Sequence, residues 1–162
     1  MNGKICSFTG HRSVKATHKN KITPLIARAI EYAYKEGCRD FLSGGAVGFD
    51  TLAAREVLRF RLSHSDVRLI LVLPCINQDE RWGDGDRNNY EYLLNVADEV
   101  IYVADEYTDT CMRERNFKLA SMADILIAYV SRYNSGAAQT VRMAEKMGKQ
   151  IYNLYPTLEK EI

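Results

Sequence analysis

The segment Ser43-Gly44-Gly45-Ala46-Val47-Gly48-Phe49-Asp50 constrains this chain more than any other. Ahead of it, Asp40 to Leu42 reads as a short strand; behind it, about Asp50 to Leu62 reads as an amphipathic helix with Leu52, Ala53, Val57 and Phe60 facing inward. A strand that passes through three glycines directly into a helix leaves backbone N–H groups uncovered by Cβ atoms, at the positive end of a helix dipole. Such a turn receives an anion without needing a lysine. Its spacing is neither the dinucleotide G-x-G-x-x-G nor the P-loop G-x-x-x-x-G-K-[ST]. A tight strand-to-helix turn without a ligand is the plainer alternative.

The rest of the chain repeats this alternation. Strands are expected at Lys4 to Phe8, Asp40 to Leu42, Arg68 to Leu73, Glu99 to Val103, Asp124 to Val130 and Gln150 to Leu154. The runs Leu69-Ile70-Leu71-Val72-Leu73 and Ile125-Leu126-Ile127-Ala128-Tyr129-Val130 are apolar throughout, as strands buried on both faces are. Helical periodicity links Ile22, Leu25, Ile26, Ala29, Ile30 and Ala33 before Gly37, and predicts further helices over about Asn89 to Val96, Arg113 to Met122 and Gly136 to Met147. The expectation is an α/β, Rossmann-like, doubly wound and mainly parallel sheet flanked by helices, with residues 1–162 as one domain and the ligand crevice at the carboxyl ends of the strands.

Three loops carry unusual residues to those strand ends: Thr9-Gly10-His11-Arg12, Ser43 to Asp50, and Ser131 to Gln139. Arg12 suits a bidentate phosphate clamp, and His11 a donor, a proton carrier or a solvated loop residue. Asp50 fits either a helix N-cap or an acceptor for ribose hydroxyls. Ser135 and Gly136 fit either an N-cap or a second phosphate site. Arg113, Arg115 and Asn116 open a helix where cations oppose the dipole, so they answer to an anion or an acidic neighbour. Trp82, in the charged segment with Asp79, Glu80, Arg81 and Arg87, either stacks on a base or supports its loop. His18 and His64 read as surface positions, and Lys15, Lys19 and Lys21 as a solvated helix face.

A formal charge of +1 removes the simplest argument for duplex DNA binding. Cys6, Cys38, Cys75 and Cys111 lack C-x-x-C spacing, which argues against structural zinc and for buried thiols. Neither Met1-Asn2-Gly3-Lys4-Ile5 nor any later run has the apolar length of a signal peptide or a membrane span, so a cytoplasmic protein without a membrane partner is expected.

Gly10-His11-Arg12, Ser43 to Asp50, Leu73-Pro74, Trp82, Arg115-Asn116 and Ser135-Gly136-Ala137 together resemble the SLOG superfamily, which includes DprA and the LOG phosphoribohydrolases, and within it the YpsA-like branch. The resemblance implies a nucleotide-derived ligand held by Gly44, Gly45, Gly48 and Asp50, with Arg12 and Ser135 nearby, and a sensor or regulator role. ADP-ribose, an NAD-derived molecule and a nucleoside phosphate are the implied ligands. Self-association, common among these relatives, is left open, and Tyr155 to Ile162 reads as either a frayed tail or a dimer contact.

This sequence departs from the LOG catalytic motif: the last loop lacks its proline and paired glycines, and reads Thr140-Val141-Arg142 where the acid would stand. A hydrolase acting on a nucleoside phosphate or ADP-ribose, with Asp50 or Glu80 as base and His11 or Arg12 on the leaving phosphate, is therefore the second expectation. Single-stranded nucleic-acid binding along Arg12, Lys15, Lys19 and Lys21 is the third, and the near-neutral charge argues against it.

Overall fold

The computed structural model describes residues 3–131 and 134–160. Met1, Asn2, the loop positions Arg132 and Tyr133, and the last two residues of the expected tail lie outside the described residues. The strands are β1 (Lys4–Gly10), β2 (Cys38–Ser43), β3 (Arg68–Leu73), β4 (Glu99–Tyr102), β5 (Ile125–Tyr129) and β6 (Gln150–Asn153). The helices are α1 (Lys19–Lys35), α2 (Phe49–Arg61), α3 (Asp84–Val96), α4 (Cys111–Met122), α5 (Gly136–Lys146) and α6 (Tyr155–Lys160), with a 3-10 turn at Ala16–His18.

All strand pairs are parallel and the order is β4-β3-β2-β1-β5-β6. The chain therefore steps outward from β1 to β4, then returns to the other side of β1 to lay down β5 and β6. The switch falls between β1 and β5, where the loops leaving adjacent strands diverge and a crevice opens at the carboxyl ends. This is the doubly wound Rossmann-like sheet that the strand-helix alternation predicts.

The apolar run of β3 is explained by burial on both faces. Leu69, Leu71 and Leu73 join a core with Phe8, Phe41, Ile26, Ile30, Phe49 and Val57. Ile70 and Val72 join Ile5, Leu42 and Leu119 on the other side. Truncating a fully buried side chain such as Leu71 to Ala typically costs about 2–5 kcal/mol. All four cysteines are buried free thiols, and burial raises the Cys6, Cys38 and Cys75 thiols above their ordinary pKa.

Three expectations are corrected. First, α3 starts at Asp84 rather than near Asn89, because Asp84 and Asp86 sit favourably in its first turn. Second, the segment from Tyr155 is a short helix, seated by the fully buried Leu158 and by Glu159, which meets Lys15 at 2.8 Å. Third, His18 is fully buried: its Nδ1 lies 2.7 Å from the Tyr129 hydroxyl and its ring stands edge-on to Tyr129 and Tyr155. His64 is half-buried, stacked on Phe60 with ring centroids 3.7 Å apart. No helix among the described residues is long and apolar enough to cross a membrane.

Candidate functional site

A cavity of about 390 Å³ lies at the switch point, lined by Thr9, Gly10, His11 and Arg12 at the end of β1 and just beyond it, Ala46 and Asp50 from the glycine turn and the first turn of α2, Met112, Arg115, Asn116 and Leu119 from α4, and Ser135, Gly136 and Ala137 at the start of α5. Four chain segments far apart in sequence thus converge where the topology opens. Met112 and Leu119 escape a reading focused on charge. Their spacing of three to four residues from Arg115 and Asn116 puts them on the same helical stripe, which is the signal for them.

The first two loops are laced through the backbone. The Phe49 N–H donates to the carbonyl of His11 at 3.1 Å. A Cβ at Gly10 would overlap the Phe49 ring, and one at Gly48, whose φ is 85°, would overlap the carbonyl of Arg12. Gly10 and Gly48 are therefore required by close packing of one loop on the other.

The glycine turn spends much of its hydrogen-bonding capacity on itself. The Gly45 N–H donates to Ser43 Oγ at 3.2 Å, the Ala46 N–H to Asp50 Oδ2 at 3.4 Å, and Ser43 Oγ to the carbonyl of Asp50 at 3.0 Å. Ser43, Gly44 and Gly45 are buried and stand outside the cavity lining, while Gly48 lines a groove on the other side of Arg12. The turn thus folds inward onto Ser43 and Asp50, and the Gly45 amide is engaged within it. It holds Asp50 through the Ser43 hydroxyl and the Ala46 N–H.

Asp50 is buried, and burial raises its carboxyl pKa to about 6 against the opposing pull of Arg115, the Ala46 N–H and Arg12. Oδ2 accepts from Ala46, whereas Oδ1 is buried with no hydrogen-bond partner. Asp50 does not cap α2 through its side chain; the N-cap position is Gly48. A carboxylate held in this way is an acceptor still missing a donor.

Arg115 is buried as well and stretches from α4 to the glycine turn. Its Nη1 donates to the carbonyl of Gly44 at 2.7 Å and its Nε to Asn116 Oδ1 at 2.9 Å. Burial lowers its pKa and the charge of Asp50 opposes that shift. The acidic neighbour implied by an arginine at a helix start is Asp50. Asn116 continues the chain of contacts, donating through Nδ2 to the Gly136 carbonyl and to Gln139 Oε1, each at 3.2 Å.

His11 is buried and structural in its Nε2 contact, which corrects the picture of a solvated loop histidine. Nε2 accepts the Ser131 N–H at 2.8 Å and lies 3.1 Å from Ser131 Oγ, so this nitrogen ties the β1 loop to the β5 loop. Ser135 caps α5, its Oγ accepting from the Ala138 N–H at 3.0 Å. Trp82 supports its loop: its ring packs edge-on against the buried Tyr90 at 5.0 Å, with the exposed Arg12 guanidinium 5.9 Å from its centroid.

Arg12, Arg115 and the start of α5 present positive charge and free helix-end dipole to the same cavity in which Asp50 presents an unfilled acceptor. Among the described residues no cluster of three or more His, Cys, Asp or Glu side chains could hold a metal ion. Fold and site together define a Rossmann-like α/β protein with a crevice at its topological switch point that carries Asp50, Arg12 and Arg115.

The YpsA family model, described as the YspA SLOG family, matches residues 6–157, and the chain belongs to that family. It is similar to the uncharacterized SPbeta prophage-derived protein YoqJ of Bacillus subtilis, with 28% identity over 152 residues, covering 85% of this chain and 89% of that one. The fold is that of DNA processing protein A. The Helicobacter pylori structure, which is described as showing a single-stranded DNA binding mode, aligns with a TM-score of 0.67 at 20% identity over 99% of this chain and 73% of that one. The Streptococcus pneumoniae structure aligns with a TM-score of 0.65 at 16% identity over 91% of this chain, which spans only 49% of that protein.

Proposed function

We propose that this protein binds a small, phosphorylated, sugar-bearing ligand of the nucleotide class in the switch-point cavity and acts as a sensor or regulator through that binding. The observation that carries the reading is the buried Oδ1 of Asp50, an acceptor with no donor in a cavity otherwise edged by arginines and a helix start. A ribose hydroxyl supplies the missing donor, and Arg12 with the Gly136 end of α5 suits the phosphate. ADP-ribose, NAD-derived molecules and nucleoside phosphates all combine these groups.

Binding is favoured over hydrolysis by the composition of the lining. Asp50, with its pKa near 6, is suited to proton transfer, yet among the described lining residues it is the only carboxyl group. Glu80, the other candidate base, accepts from Asn77 at 3.2 Å and lines a neighbouring cavity.

A thermal-shift and calorimetry panel of these ligands tests the reading, with Asp50→Ala alongside and product analysis of every ligand that binds. Saturable binding that is weakened at least tenfold in the variant, with the ligand recovered intact, supports it. Released base or ribose phosphate makes the protein a hydrolase.

A second reading rests on a groove of about 540 Å³ in which Arg12, Lys19 and Arg55 face a single carboxylate, Asp86. Such a groove suits the backbone of a single-stranded nucleic acid, and its affinity would then fall steeply with added salt.

A further inference from the structure

A second cavity of about 600 Å³ shares Arg12 and Met112 with the first, so the two compartments meet at one wall. Trp82, Tyr107 and Gln78 line it. Trp82 is held by its edge-on contact with the buried Tyr90, which fixes the indole as a platform, and Tyr107 is 64% exposed. Both polar atoms of the Gln78 amide are buried and make no hydrogen bond of standard length and angle, and the buried Tyr90 hydroxyl beside the amide is likewise without one. That hydroxyl can engage one end of the amide at most, so the other end is satisfied only when a ligand meets it.

Resting on the reading of the first cavity given above, we propose that the ligand is a nucleoside phosphate whose base enters this second cavity, stacks on Trp82 and offers an adenine-type edge to Gln78. Stacking on an aromatic platform accepts any base. The amide supplies selectivity, because, held in one orientation, its oxygen and N–H match the exocyclic amine and adjacent ring nitrogen of adenine and oppose the carbonyl and ring N–H of hypoxanthine. Arg12, common to both compartments and 5.9 Å from the Trp82 ring, stands where phosphoribosyl and base would join.

Trp82 is the only tryptophan in the chain, so intrinsic tryptophan fluorescence reports on this cavity alone. The test is a titration of the intact protein with AMP, IMP and ribose 5-phosphate, each followed by fluorescence and by calorimetry. The expected result is saturable quenching by AMP, and ribose 5-phosphate binding without quenching and at least tenfold more weakly. Gln78→Leu should reduce the preference for AMP over IMP by roughly tenfold. Equal affinity for AMP and ribose 5-phosphate without quenching would leave the base in solvent and overturn this inference, while the first-cavity reading stands. Absence of both heat and quenching with every compound would overturn both.

Discussion

Arg115 Nη1 donates to the carbonyl of Gly44 across 2.7 Å, joining α4 to the glycine turn in the same place where its charge faces Asp50. The contact depends on Gly44 having no side chain. A Cβ there would lie 2.6 Å from Arg115 Nη1 and 2.9 Å from Asp50 Oδ2. Gly44→Ala must therefore push Arg115 out of place, costing about 1–3 kcal/mol of stability by overpacking. Chemical denaturation measures the stability loss, and ligand affinity should fall with it.

The raised pKa of Asp50 makes a signed prediction about stability. With a folded value of about 6 against an ordinary 3.8, the native state keeps a proton that the unfolded state releases as pH rises between them. Stability contributed at this residue is thus present below about pH 4 and is lost by about pH 6, on the order of 3 kcal/mol in all. Asp50→Asn, which removes the titration, should match the wild type near pH 4 and exceed it at pH 7. Urea unfolding of both proteins at the two pH values gives the comparison, and a constant difference would contradict the assignment.

The same titration should appear in binding. Ligand hydroxyls need the ionised carboxylate as acceptor, so affinity for a ribose-bearing ligand should weaken as pH falls through about 6. Calorimetry between pH 5 and 7 tests this, with the pH dependence absent in Asp50→Asn.

Two glycines in left-handed backbone allow a controlled comparison. Gly48 (φ 85°) faces the Arg12 carbonyl, whereas Gly148 (φ 72°) has nothing within 4 Å of an added Cβ. Gly148→Ala should cost only the left-handed penalty of about 1–2 kcal/mol. Gly48→Ala adds backbone overlap and should cost more than about 3 kcal/mol. Melting temperatures of the two variants check the order.

Ser135 caps α5 by accepting the Ala138 N–H. Ser135→Ala should remove about 1 kcal/mol, seen as a drop of roughly 2–4 °C in Tm. A larger loss would mean the hydroxyl supports more than the helix end.

Local patterns in the sequence carried the sheet and several residues that line the crevice because both depend on short-range signals. The apolar run of β3 shows burial on both faces, and the misplaced charge of Arg115 on α4 signals a partner outside its own helix. What stayed hidden depends on long-range partners. His18 looks like a surface residue until Tyr129, 111 positions away, is packed beside it. The inward hydrogen bonding of Gly45 and Ala46 also follows from how Ser43 and Asp50 fold back, which glycine spacing does not reveal. Gln78 stood unnoticed in a polar stretch because only burial of its amide distinguishes it.

The most direct test of the account is an amide chemical-shift titration of 15N-labelled protein with AMP. The account predicts saturable shifts concentrated at His11 and Arg12, at Ala46 to Asp50, along the Met112 to Asn116 turn and at Gly136 to Ala138, and lost in Asp50→Ala. Shifts confined to the groove of Lys19 and Arg55, or shifts that persist unchanged in Asp50→Ala, would contradict it.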